Sequence, residues 1–146
     1  MIHRFESFVT GITTCYKYIQ RIKSVEMEEL GLKGAHAMCL FYLHHNPDGL
    51  TAAQLSTLCA EDKAAISRTI SDLRSQGLVA QEPGKNYRAA LFLTESGREV
   101  AHRVDELIER WVAAGGDGLT QRQRSDFYDS LALIASNLRS KMGSDL

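Results

Sequence analysis

The run Asp62-Lys63-Ala64-Ala65-Ile66-Ser67-Arg68-Thr69-Ile70-Ser71-Asp72-Leu73-Arg74-Ser75-Gln76-Gly77 carries signals for both ends of a short helix. Asp62 can accept hydrogen bonds from the free N–H groups of the first turn, and Gly77 suits the left-handed residue that ends a helix. Ile66, Ile70 and Leu73 fall at i, i+4 and i+7, so they share one stripe that must be buried. Lys63, Ala64, Ser67, Arg68 and Ser71 lie on the opposite face, small and polar near the N-terminus. A helix divided in this way packs by one side and offers the other to a partner.

The flanking sequence completes a motif. Upstream, Thr51-Ala52-Ala53-Gln54 has capping-box spacing, and Leu55 and Leu58 give the apolar face of a helix ending near Ala60. Downstream, Leu78-Val79-Ala80-Gln81 and Ala89-Ala90-Leu91-Phe92-Leu93 bracket the turn-rich Glu82-Pro83-Gly84-Lys85-Asn86-Tyr87-Arg88. Helix, helix, strand, turn and strand between Leu50 and Thr94 make the layout of a winged helix-turn-helix. In that layout the second helix enters a major groove by its N-terminal residues, and the turn between the strands is the wing.

Leu50-Thr51 with Gln54-Leu55, Ile66-Ser67-Arg68 with Leu73, Gly77-Leu78-Val79, and Leu93-Thr94 with Gly97 follow one another in an order and spacing that resemble the MarR family of transcriptional regulators. The resemblance runs over essentially the whole chain, and Asn86 stands where the family pattern has an acidic wing residue, two positions before Arg88. It implies a mainly α fold with a small β-hairpin wing, a winged helix-turn-helix at about 33–94, and helical dimerisation regions at about 1–28 and 95–146 within a single domain. It also implies a homodimer on a palindromic operator, most simply a ligand-responsive repressor. Two recognition helices reading such a site must stand one turn of DNA apart, roughly 34 Å, a distance a rigid dimer interface can set.

The rest of the chain fits that plan. From about Phe5 to Met27, Phe5, Phe8, Val9, Ile12, Cys15, Tyr16, Ile19 and Ile22 recur at helical spacing, an apolar surface no small monomer covers easily. A second helix spans about Lys33 to His45, with Met38, Leu40, Phe41 and Leu43 inward, and Asn46-Pro47-Asp48-Gly49 is a turn. A helix from Glu95 to Val112 and a last one from about Thr120 to Met142 follow, the latter opened by Thr120 and Gln123 and carrying Phe127, Leu131, Ile134 and Leu138. The order is α-α-α-α-β-β-α-α.

Net charge argues only locally. Between Asp62 and Arg88, five cations (Lys63, Arg68, Arg74, Lys85, Arg88) face three anions (Asp62, Asp72, Glu82) in a chain of net charge -1. A local positive surface is compatible with duplex DNA, because phosphate affinity depends on the local array of charge. With 44% hydrophobic residues among 146 there is material for a core, yet neither a membrane-length apolar run nor a signal peptide is legible, so a cytoplasmic protein is expected. There is no nucleotide loop, no H-E-x-x-H and no nucleophile beside a base, so no catalytic residue and no cofactor is expected.

The expected DNA-contacting residues are Thr51, Lys63, Ala64, Ser67, Arg68, Ser71 and Arg74, with Lys85 and Arg88 on the wing. Related regulators bind small aromatic acids or other hydrophobic effectors between the dimer helices and the winged segment. By that resemblance an effector crevice would draw on Tyr16, Ile19, Ile22, His36, Leu40 and His102. Peroxide-sensing relatives use a first-helix cysteine near tyrosines, which makes Cys15, beside Tyr16 and Tyr18, a redox alternative; Cys39 and Cys59 read as core. Zinc-sensing relatives use a histidine placed like His36, but Arg103 and Val104 beside His102 cannot ligate zinc, and no metal is expected. A winged-helix interaction module without specific DNA binding is the remaining alternative.

Overall fold

Local capping sets the helix boundaries in the computed structural model, which describes residues 2–143. Eight elements follow in order: α1 (Ile2–Glu28), α2 (His36–His44), α3 (Ala52–Cys59), α4 (Lys63–Ser75), β1 (Val79–Gln81), β2 (Leu91–Leu93), α5 (Glu95–Gly115) and α6 (Gln121–Met142). Thr51 and Thr120 each close a complete capping box with Gln54 and Gln123, and the Asp62 carboxylate accepts from Ala65 N–H at 2.7 Å. Gly77 ends α4 with φ of +73°. The two strands pair antiparallel, Val79 opposite Leu93 and Gln81 opposite Leu91. Leu50 adds a bridge on the other side of Leu91, exchanging backbone bonds of 3.1 and 2.8 Å, so the residue before α3 is stitched to the hairpin.

The chain divides into two compact units, Met1–Asp105 and Glu106–Leu146. The division falls inside α5, not at its start, because Gly97, Ala101 and Val104 are buried with the winged segment. The core of the first unit centres on Leu40, Leu55, Leu73 and Val104, none with measurable exposure. Of α1, only Met27 is buried; Phe5, Phe8, Val9, Ile12 and Ile19 all lie open. In the second unit Arg124 donates to the Gly116 carbonyl at 2.7 Å, closing the turn between α5 and α6, and α6 buries no residue. No helix among the described residues is long and apolar enough to cross a membrane.

Several sequence expectations need correction. Leu58 does not join Leu55 in the core: it is 42% exposed, because α3 is short and packs by one narrow edge against α2 and α4. On α4 the buried set is Ile66, Thr69 and Leu73, and Ile70 is only half-buried. Periodicity allows i+3 or i+4 after Ile66, and the neighbouring helices choose i+3. On α2, His36, Ala37 and Cys39 are buried alongside Leu40 and Leu43, whereas Met38 and Phe41 are half-buried. That helix starts at His36, later than Lys33, since 33–35 form a turn. The strands keep three residues each, and α5 runs on to Gly115 past Val112.

Candidate nucleic-acid interface

Helix α4 presents Lys63, Ala64, Ser67, Arg68 and Ser71 to solvent, all on the face away from Ile66 and Leu73. Neither Lys63 nor Arg68 is paired with another described residue. Long cations left unpaired at the N-terminal half of a helix have their donors available for phosphate oxygens or base edges. Thr51, half-buried, already uses its hydroxyl oxygen to accept from Gln54 N–H, so its remaining capacity is the hydroxyl proton.

The wing is anchored to α4. Arg74 donates to Gln81 Oε1 at 2.9 Å, and Gln81 Nε2 donates to the Lys85 carbonyl at 2.7 Å, so one relay runs from the end of the helix to the wing tip. Arg74 therefore ties the C-terminal end of α4 to the hairpin. Lys85 lies 3.8 Å from Glu82, with both side chains partly exposed, a pairing weak enough to yield to a phosphate. Residues 83–88 are exposed, and Arg88, at φ of +53°, places its guanidinium 5.2 Å from the Tyr87 ring centre.

Beneath α4, His36 is buried and spoken for at both ring nitrogens. Its Nδ1 accepts from Lys33 N–H at 3.1 Å, so Nε2 carries the hydrogen and donates to Asp72 Oδ2 at 3.2 Å. Lys33 Nζ reaches the same carboxylate oxygen at 3.3 Å. The His36 bond, then Lys33, hold the Asp72 carboxyl below its ordinary pKa. A group lowered in this way adds stability that is present above the ordinary carboxylate range and lost as pH falls through the lowered value. Asp72→Asn should therefore be less stable than the native chain at neutral pH. In urea melts across a pH series, that difference should shrink below about pH 4; a gap that stays constant into acid would show that the carboxylate does not tie α4 to α2.

The effector set does not assemble in the single chain. An open cleft of about 370 Å³ is bounded by the end of α1, the turn before α2, and α4; of the six residues expected in a crevice, only His36 lines it. Leu40 is sealed in the core, Tyr16 and Ile19 are exposed on α1, and Ile22 is half-buried. His102 stands 6.2 Å, ring to ring, from His44 and does not meet His36. Cys15 is exposed. No group of three or more metal-ligating side chains occurs among the described residues.

Residues 30–90, which hold α2 to α4 and the hairpin up to its second strand, match the model of the MarR family. Solved structures carry the likeness over the rest. A MarR-family regulator from Listeria monocytogenes in complex with a 26mer DNA superposes with a TM-score of 0.82 at 22% identity, covering 92% of this chain and 94% of that one. The chain has the MarR fold. A MarR regulator from Methanosarcina mazei Go1 gives 0.77 at 23% identity over 90% of this chain and 89% of its own. MepR of S. aureus in its DNA complex gives 0.76 at 16% over 87% and 93%. No curated protein matches the chain.

Two parts of this MarR fold escaped sequence reasoning: the His36–Asp72 tie and the Arg74–Gln81–Lys85 relay. Asp72 and Gln81 are ordinary surface residue types, and only the packing of α2 and the hairpin on α4 gives them partners. A buried histidine at the start of a helix was the one available signal for the first.

Proposed function

We propose that this chain is a homodimeric, sequence-specific DNA-binding transcriptional regulator that reads a palindromic operator with α4 and the wing and acts as a ligand-responsive repressor. The observation that carries it is the unpaired Lys63 and Arg68 pair beside Ser67 and Ser71 on a helix held rigidly by Asp62, His36 and Asp72. Similar folds have been solved on DNA, the Listeria regulator and MepR among them. The open apolar residues of α1, and Phe127, Leu133, Ile134 and Leu138 of α6, supply the surface of an obligate dimer. An effector would release DNA by favouring a helix spacing that does not fit the operator. Tyr16, Ile19 and Ile22 remain available for it, whereas Leu40 is sealed in the core and His36, though it lines the cleft, has both ring nitrogens engaged.

The test begins with duplexes selected from a random pool. Binding should fall steeply and log-linearly with salt, and Arg68→Ala should weaken it by about 1–3 kcal/mol, with thermal stability unchanged because the side chain is exposed. Sedimentation at low micromolar concentration should show a dimer. Flat, weak retention of every duplex would favour the interaction-module reading, and a folded monomer would remove the palindrome from the proposal.

A further inference from the structure

Cys39 on α2 and Cys59, the last residue of α3, are distant in sequence, yet their Sγ atoms stand 3.9 Å apart. Cys39 is buried and Cys59 half-buried. Both line the open cleft, together with Lys23 and Glu61, and a small solute entering it meets the half-buried Cys59 first. We propose that Cys39 and Cys59 form a dithiol site that hydroperoxides oxidise to an intrachain disulfide, with Cys59 as the nucleophile and Cys39 as the resolving thiol.

The two sulfurs differ in the way such chemistry requires. Cys59 is the more accessible, and the thiolate is the attacking form. Cys59 shares a hydrogen bond with the Cys39 thiol in which either sulfur can be the donor, and this bond, helped by the Lys23 ammonium, holds the Cys59 pKa below its ordinary value despite burial and the Glu61 charge. The same bond, burial and Glu61 push the Cys39 thiol up, so Cys39 keeps its proton. Cys15, exposed on α1, has no second cysteine beside it among the described residues.

The Cys59 thiolate attacks the terminal oxygen of the hydroperoxide: an S–O bond forms, the O–O bond breaks, and the departing alkoxide or hydroxide takes a proton from water. The Cys39 sulfur then attacks the resulting sulfenic sulfur, and its thiol proton leaves with the hydroxide as water. Two electrons pass from the sulfur pair to the peroxide, one from each sulfur. Closing the present gap to a disulfide needs the sulfurs to approach by about 1.9 Å.

The experiment treats the reduced native chain with hydrogen peroxide or tert-butyl hydroperoxide, counts free thiols, and maps peptides without reduction; none of these readouts involves DNA. The thiol count should fall from three to one. The Cys39 and Cys59 peptides should be joined within one chain, and dithiothreitol should separate them. Cys15→Ser should form the same link at the native rate, and in Cys39→Ser dimedone should trap a sulfenic acid at Cys59. Three surviving thiols, a disulfide that includes Cys15, or a link lost in Cys15→Ser would each overturn the proposal. The native and Cys15→Ser arms leave the core untouched, so they decide it even where Cys39→Ser fails to fold.

Discussion

Leu73→Asp is expected to unfold the chain. Leu73 has no measurable exposure, lies outside the cleft, and sits on α4 where that helix meets β1. Truncating a buried leucine costs about 2–5 kcal/mol before any charge is added. A carboxylate at that depth finds no partner and must take up a proton or draw in water, a further cost of several kcal/mol. The sum reaches the whole margin of a typical domain, about 5–15 kcal/mol. Leu73→Met keeps volume and polarity and should cost under about 1.5 kcal/mol. Circular dichroism and urea melts of the two variants check this; a cooperative Leu73→Asp melt within about 2 kcal/mol of the native chain would mean that the α4–hairpin contact is not the core it looks to be.

Gly97→Ala should be the most costly single-methyl change in the molecule. A Cβ at Gly97 would stand 1.9 Å from the Leu78 carbonyl oxygen and 2.9 Å from its carbon, far inside contact distance. Neither side can yield cheaply. The Leu78 carbonyl accepts from Thr94 N–H at 3.0 Å, and Leu78 N–H donates to the Leu73 carbonyl at 2.9 Å. Gly97 N–H itself donates to the Thr94 hydroxyl oxygen at 3.0 Å, and that hydroxyl donates to the Gly77 carbonyl. One methyl group therefore levers α5 away from the base of the wing. Overpacking a core usually costs about 1–3 kcal/mol, and a backbone-to-backbone clash belongs at or above the upper end. In a chain of this size the melting temperature should fall by about 6–12 °C. Gly97 is helical, so its glycine also carries the ordinary propensity cost that alanine would remove, about 1 kcal/mol. A variant that melts at or above the native temperature would show that α5 does not approach the hairpin this closely.

These contacts also order the proposed DNA-binding face. Lys63 and Arg68 stand ready on α4, but what they can reach depends on how α4 is pinned: by Asp62 at its start, by Asp72 to His36 in its middle, and by Arg74 to Gln81 at its end. Cations of similar appearance in the sequence have separate tasks, two left open and one spent on holding the wing.

Chain-local chemistry was legible from the residues alone. Thr51 with Gln54, Thr120 with Gln123, Asp62 and Gly77 act through atoms within a few residues, so their spacing fixed where helices begin and end, and the order of eight elements followed. The outward face of α4 was legible for the same reason, since one helix turn defines it. Tertiary structure decided everything that depends on which distant element lies opposite. Thr69 took the place expected for Ile70, and Leu58 was left outside, because helix periodicity permits neighbouring positions while the packing of α3 on α2 and α4 selects among them. His36 met Asp72 instead of His102, and Cys39 met Cys59, because such meetings depend on the relative placement of whole helices, which no spacing along the chain encodes.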